Sequence, residues 1–300
     1  MNILVTVDSN YIRPLKVMLT SFFTYHKNQN KIYLLHSNVK STELEELAAL
    51  VKEHGSRFFP VRMEEDILSD LPVLRYFTRE MYYRLFAGRK LPEEKRILYL
   101  DPDILIRGSL ENMYETDLEG NVLAGIEDFA VKTLLLEHKR ELGFEEEEKY
   151  INSGVLLIDL DRLRDTFREE DLYRIAEEKK EFLQYPDQDL INLMFRGKIK
   201  VLERCFNYNS GYGSVKEMLR YIAGGFLKER KYPVIVHYMG QSKPWHPDYY
   251  GKFGKEYRRY LKKYPDPDTR KEWKRRHLAV MKHLSMVVVR KAGGKSNGKI

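Results

Sequence analysis

Arg96-Ile97-Leu98-Tyr99-Leu100-Asp101-Pro102-Asp103 is a short apolar run that stops at two carboxylates spaced two residues apart. Strand side chains alternate faces with a period of two, so Asp101 and Asp103 can offer oxygens on one side while the run before them stays buried. The segment therefore predicts a buried strand whose edge carries a metal site. Carboxylate oxygens suit hard divalent cations such as Mg²⁺ or Mn²⁺, which hold phosphorylated substrates.

The spacing alone does not single out this pair, because Asp-x-Asp recurs at Asp159/Asp161, Asp187/Asp189 and Asp266/Asp268. Asp161 precedes Arg162-Leu163-Arg164-Asp165 and reads as a helix N-cap. Asp266 and Asp268 interleave with Pro265 and Pro267 as in a turn. The surroundings of the first pair have to decide.

Outward from that strand, apolar runs at 2–7, 32–36, 57–61, 96–100, 121–126, 154–160 and 233–238 alternate with helix-like stretches near 11–26, 41–54, 78–88, 130–141, 162–183 and 188–196. Such alternation predicts an α/β fold with a single mixed, mostly parallel central sheet flanked by helices. Gly154-Val155-Leu156-Leu157-Ile158 is apolar on successive residues, as expected of a strand covered on both faces. Ligands of these sheets sit at the carboxyl ends of strands, where Asp8, Asp101 and His237 fall. The first strand continues into Asp8-Ser9-Asn10-Tyr11 without a Gly-x-Gly-x-x-Gly loop, and no P-loop follows elsewhere. A dinucleotide site is not expected, and phosphates would be gripped by metal and side chains.

With 300 residues, 43% of them hydrophobic, the chain can bury a full core. The single cysteine, Cys205, rules out an intramolecular disulfide framework and a cysteine-based zinc site, in keeping with a reducing compartment. The amino terminus begins directly as strand-like Asn2-Ile3-Leu4-Val5-Thr6-Val7, and no 18-residue apolar stretch occurs, so a cytoplasmic address is expected. The net charge of +7 is unevenly held: residues 252–300 carry 16 Lys/Arg against 4 Asp/Glu, and the remainder 36 against 41. Basicity thus belongs to a C-terminal tail at 251–300, not to the body at 1–250.

In that tail Trp273, His277, Val280, Met281, Leu284 and Val288 recur near helical spacing among Lys271, Lys274, Arg275 and Lys282. This predicts a basic amphipathic helix that either packs onto the body or docks on an anionic membrane, which would put the protein on the inner face of the cytoplasmic membrane. No nucleic acid partner is expected. Residues 292–299 read as flexible.

Six blocks, in order, are similar to those of family 8 of the retaining glycosyltransferases, a family that includes glycogenin and bacterial lipopolysaccharide galactosyl- and glucosyltransferases. They are Val7-Asp8-Ser9-Asn10-Tyr11, Met81-Tyr82-Tyr83-Arg84-Leu85, Tyr99-Leu100-Asp101-Pro102-Asp103, Tyr150-Ile151-Asn152-Ser153-Gly154-Val155, Pro186-Asp187-Gln188-Asp189 and His237-Tyr238-Met239-Gly240-Gln241-Ser242-Lys243-Pro244-Trp245. The resemblance implies a GT-A nucleotide-sugar fold over about residues 1–250. It implies that Asp101, Asp103 and His237 hold Mn²⁺, with Mg²⁺ as a substitute, against the diphosphate of UDP-galactose or UDP-glucose. An imidazole beside carboxylates suits Mn²⁺ better than Mg²⁺.

The same resemblance implies that Asp8 and Asn10 contact uracil and ribose with Tyr11 stacking on the base, although Asp8 or Asn10 can equally cap the helix that follows. Gly240 and Lys243 would grip phosphate, and Pro102, lacking an N–H, removes any backbone contact made there. Arg84 would face the phosphate and sugar, while Asn152, Asp187 and Gln188 would line the sugar pocket. Either Glu127 or Asp128 would meet the acceptor, a glycan or lipid-linked saccharide of the cell envelope. Gln188 is a poor nucleophile, which favours same-face substitution over double displacement, with Asp189 as the alternative nucleophile. Two other readings stay open: a carbohydrate-binding or scaffold protein without turnover, and a metal-dependent nucleotidyl- or phosphotransferase.

Overall fold

The computed structural model describes residues 1–64, 68, 71, 79–210, 233–240, 242–246, 249 and 251–266. The helix expected beyond Trp273 and the flexible terminus lie outside the described residues, as do Gln241 and Asp268. Among the described residues ten strands are formed: β1 Asn2–Thr6, β2 Lys31–His36, β3 Arg57–Arg62, β4 Arg96–Leu100, β5 Ile104–Ile106, β6 Leu123–Glu127, β7 Ile151–Asp159, β8 Ile199–Val201, β9 Tyr208–Asn209 and β10 Ile235–His237. The helices are α1 Ile12–Tyr25, α2 Ser41–Glu53, α3 Ala87–Lys90, α4 Glu111–Tyr114, α5 Phe129–Thr133, α6 Leu136–Glu141, α7 Leu160–Thr166, α8 Glu169–Lys179, α9 Pro186–Met194 and α10 Gly254–Leu261.

Seven strands form the central sheet in the order β3-β2-β1-β4-β7-β6-β8. Its pairings β3/β2, β2/β1, β1/β4 and β6/β8 are parallel, whereas β7 runs antiparallel to both β4 and β6. The sheet is mixed and mostly parallel, as the alternating pattern predicts. Ile3, Leu98 and Leu157 are fully buried on one side and Leu4, Ile97 and Leu156 essentially so on the other, so helical layers cover both faces.

The expected strand at 233–238 forms as β10, but in a second, three-stranded sheet of order β5-β10-β9. The joint between the sheets is Asp101-Pro102-Asp103. The Asp101 N–H donates to Gly154 O (2.8 Å), extending the β4/β7 ladder, whereas Asp103 O accepts from the Tyr238 N–H (3.0 Å), beginning the β5/β10 ladder. Pro102, with no N–H to give either ladder, sits where the chain changes sheets. The two carboxylates therefore do not share one strand edge, as a period-two reading assumes; they flank a strand-to-strand crossing.

Several helical stretches are shorter than their patterns suggest. The 162–183 stretch divides into α7 and α8 because Phe167 and Arg168 are extended. The cap of α7 is Asp159, whose Oδ1 accepts from the Arg162 N–H (2.9 Å), so Asp161 lies in the first turn and is not the cap. The 78–88 stretch becomes a 3-10 segment, Arg79–Phe86, followed by α3.

Residues 251–266, the described part of the basic tail, are folded against the body. Tyr257 and Leu261 of α10 pack with Val17, Leu105, Val236, Tyr238 and Tyr249. Arg107 pairs with Glu256 at 3.0 Å, and Arg13 donates to Tyr264 O at 2.9 Å. No helix among the described residues is long and apolar enough to cross a membrane.

Candidate active site

The carboxyl ends of β1 and β4 open into a cleft of about 370 Å³. Because β7 runs antiparallel to β4, its first residues, Asn152 and Ser153, lie beside the end of β4 and enter the same wall. The 3-10 segment supplies Arg84, the amino end of α9 supplies Asp187 and Gln188, and the small sheet with the loop after it supplies Asn209, His237, Gly240 and Lys243. Of the residues expected at the site from the sequence, all line this cleft except Asn10, Glu127 and Asp189. Asn10 is exposed, and its backbone N–H and side-chain amide both bond to Asp8, which caps the turn Ser9–Tyr11. The capping and lining readings of Asp8 thus hold together.

Asp101, Asp103 and His237 bring one donor atom each within 4.8 Å of one another. His237 Nε2 lies 3.2 Å from Asp103 Oδ1 and 3.6 Å from Asp101 Oδ2. Ligand atoms sharing one octahedral ion at about 2.1 Å stand roughly 3 to 4 Å apart, so the set fits a divalent cation. The floor under it is Gly154, where an added Cβ would come within 2.3 Å of His237 Cε1 and 2.6 Å of Asp101 Oδ2. Only a residue without a side chain leaves room for both ligands.

Charge around the cluster is held by two cations. Lys243 Nζ donates to Asp103 Oδ2 and to Tyr238 O (2.8 Å). Burial alone would raise the Asp103 carboxyl, but the Lys243 ammonium holds it far below the usual carboxylate range. The buried Arg84 guanidinium stands 3.5 Å from Asp101 Oδ1 and 3.3 Å from Asp187 Oδ2, and lies 3.9 Å from the ring centre of Tyr99. Burial pushes the Asp187 carboxyl up, against the pull of Arg84.

The pocket beside the cluster is lined by amides in fixed orientation. Gln188 Oε1 accepts from the Asn152 side chain (2.7 Å) and from the Ser153 N–H (3.2 Å), while its Nε2 donates to Asp128 Oδ2 (3.1 Å). Asp128 lines the cleft next to Gln188. Glu127 turns to a side recess and meets Lys132 (2.6 Å) and Lys149 (3.5 Å).

Asp189 does not face the cleft. It is fully buried, with Oδ1 accepting from Tyr150 OH and facing His138 Nε2 (2.9 Å), and Oδ2 accepting from the N–H groups of Gln184 and Tyr185 (2.9 Å each). A carboxylate so engaged is a structural lock on the start of α9, which removes it as the alternative nucleophile.

Three contributors escaped the sequence reading. Tyr99 donates to Asp101 Oδ1 (2.6 Å), Ser153 Oγ donates to Asp187 Oδ2 (2.9 Å), and Asn207 lies 3.0 Å from His237 Nδ1. Tyr99 and Ser153 sit inside the quoted blocks and were within reach; Asn207 follows a three-residue turn with no flanking pattern.

Residues 2–248 match the sequence profile of Glycosyl transferase family 8. The chain belongs to that family. This family 8 glycosyltransferase is 29% identical over 252 residues to the lipopolysaccharide 1,2-glucosyltransferase of Escherichia coli K12, covering 82% of this chain and 73% of the relative. It is 26% identical to the glycosyltransferase GlyF of Streptococcus pneumoniae, matching 81% of this chain and 57% of GlyF, so it spans little more than half of that protein. Among solved structures, galactosyltransferase LgtC in complex with donor and acceptor sugar analogs superposes with a TM-score of 0.79 at 25% identity, covering 91% of this family 8 chain and 99% of LgtC. The GlyE structure, at a TM-score of 0.66 and 22% identity, shares the fold.

Proposed function

We propose that this protein is a retaining hexosyltransferase that moves galactose or glucose from a UDP-sugar to a hydroxyl of a glycan or lipid-linked saccharide in cell-envelope polysaccharide synthesis. The observation that carries this reading is the Asp101, Asp103 and His237 cluster, set between two buried cations and an amide-lined pocket in one cleft. The lipopolysaccharide glucosyltransferase and LgtC, to which the chain is similar, support the substrate class.

Asp101, Asp103 and His237 would hold a divalent ion, Mn²⁺ in preference to Mg²⁺ because one donor is an imidazole. Bound there, the ion supplies charge neutralisation of a departing diphosphate. Lys243 adds a point charge from the small sheet, and Gly240, at φ 77°, provides a backbone position open to close approach by phosphate. Tyr11, edge-on to Trp245 at 5.9 Å, offers its ring to the base, with Asp8 beside it.

Arg84, pinned to Ser153 O (2.5 Å) and Met81 O (2.8 Å), faces the sugar side with its remaining N–H groups. Asp187 and Asn152 hydrogen-bond sugar hydroxyls. Gln188 is held by bonds at both ends of its amide, so attack through it would break that set with a poor nucleophile. Same-face substitution follows, with Asp128 on the acceptor side of Gln188.

Calorimetric titration of UDP tests this reading, with Mn²⁺, with EDTA, and with Asp103→Asn. Binding that needs both metal and Asp103 is expected. No UDP binding with Mn²⁺ would leave a shared fold without the donor site.

A further inference from the structure

We propose that Asn207 is a positioning residue that fixes the metal-ready tautomer of His237 and ties the metal end of the cleft to its sugar end through a chain of amides. The proposal rests on His237 being a metal ligand, as read above.

Amide orientations are ambiguous in isolation, but here two backbone N–H groups, which can only donate, assign three of them in series. The Gly154 N–H points at Asn152 at 3.1 Å, so that atom is the Asn152 oxygen. The Asn207 group facing the same oxygen at 2.8 Å must then be its NH₂. Asn207 therefore turns its oxygen to His237 Nδ1, at 3.0 Å. Nδ1 carries a proton and donates it, which in the neutral imidazole a metal requires leaves the Nε2 lone pair directed at Asp101 and Asp103. At the other end, the Ser153 N–H assigns Gln188 Oε1, and Asn152 reaches that oxygen through its own NH₂.

His237 and Asn207 are both buried, 4% and 6% exposed, so water cannot substitute freely for the missing acceptor. A histidine ligand whose second N–H is held by a fixed acceptor keeps both its tautomer and its ring orientation. Asn207 also closes the turn Arg204–Phe206 through its backbone, a bond that any residue would make. Its side chain is what the sequence spends on His237 and Asn152.

The test uses the full-length protein and Mn²⁺ alone, with free Mn²⁺ followed by electron paramagnetic resonance and unfolding followed separately in EDTA. Asn207→Leu is expected to bind Mn²⁺ about 10- to 100-fold more weakly, the span typical of losing a ligand's outer partner. Asn207→Asp keeps an acceptor for Nδ1 and is expected to bind within a few-fold of wild type, while sugar transfer falls further because the donor to Asn152 is gone. Wild-type affinity in Asn207→Leu overturns the assignment. So does Asn207→Asp binding Mn²⁺ more than about tenfold more weakly than wild type, and this arm stands if the leucine variant does not fold. Absence of Mn²⁺ binding by the wild type overturns the metal reading itself, and with it this assignment.

Discussion

Two Asp-x-Asp pairs converge on the same cleft region with opposite outcomes, and backbone geometry separates them. Asp187 and Asp189 lie on α9, where each residue turns about 100°, so one faces the cleft and the other the core. Asp101 and Asp103 flank a sheet crossing that brings both to His237. Gly154→Ala should therefore abolish Mn²⁺-dependent UDP binding, by more than about tenfold in calorimetry, because the added methyl collides with His237 and Asp101. Asp189→Asn should lower stability by about 3 kcal/mol in chemical unfolding, since an amide cannot accept from all of Asp189's partners, and mass spectrometry should find no glycosyl adduct at Asp189 in the wild type. The residue-level signals legible in the sequence were those embedded in distinctive blocks. Asn207 has no such setting, and its role comes only from contacts more than 25 positions away, 30 to His237 and 55 to Asn152.

Among elements, the long buried strands announced themselves through apolar runs of five or more residues, and β1, β2, β4 and β7 fall where those runs are. Strands β5, β8 and β9 have three, three and two residues, too short for any periodicity to show. Divided helices were missed for a related reason: extended Phe167 and Arg168 break a stretch whose composition remains helical throughout. The β1–β2–β4 edge is tied by Glu94, which accepts from the Asn2 side chain, Lys31 and Tyr33, each at 2.5 Å. Burial would raise this carboxyl, but Lys31, Tyr33 and Asn2 together draw it below the usual range. A lowered folded-state value gives stability that is present above the unfolded value of about 4.3 and is lost as pH falls through the folded one. Glu94→Gln should cost about 2 kcal/mol at neutral pH and flatten the acid limb of the unfolding profile. An unchanged acid limb would show that the tie does not form in solution.

Over the whole molecule, the sequence places a change of character near residue 251, where charge turns basic, yet the packing of the body continues to residue 266. A chain ending at 250 loses Tyr257 and Leu261 and uncovers Val17, Leu105, Val236 and Tyr238, each worth about 2 kcal/mol when buried. That truncation should yield aggregated protein, read by size-exclusion chromatography. Residues 267–300 carry 10 Lys/Arg against 2 Asp/Glu, and we propose that they seat the protein on the inner, anionic face of the cytoplasmic membrane. Retained co-sedimentation with anionic vesicles after deletion of residues 267–300 would refute that role.

The joint at Asp101-Pro102-Asp103 gives one more consequence. Asp101 directly follows β4 of the large sheet, while Asp103 directly precedes β5 and His237 ends β10, in a sheet that among the described residues has only eight residues in three strands. A cation held there, as proposed, would act as a rivet between a robust scaffold and a weak one. The small sheet should then be the first part to exchange its amide protons when metal is withheld, and its protection should rise with cation concentration while that of β1 and β4 barely changes.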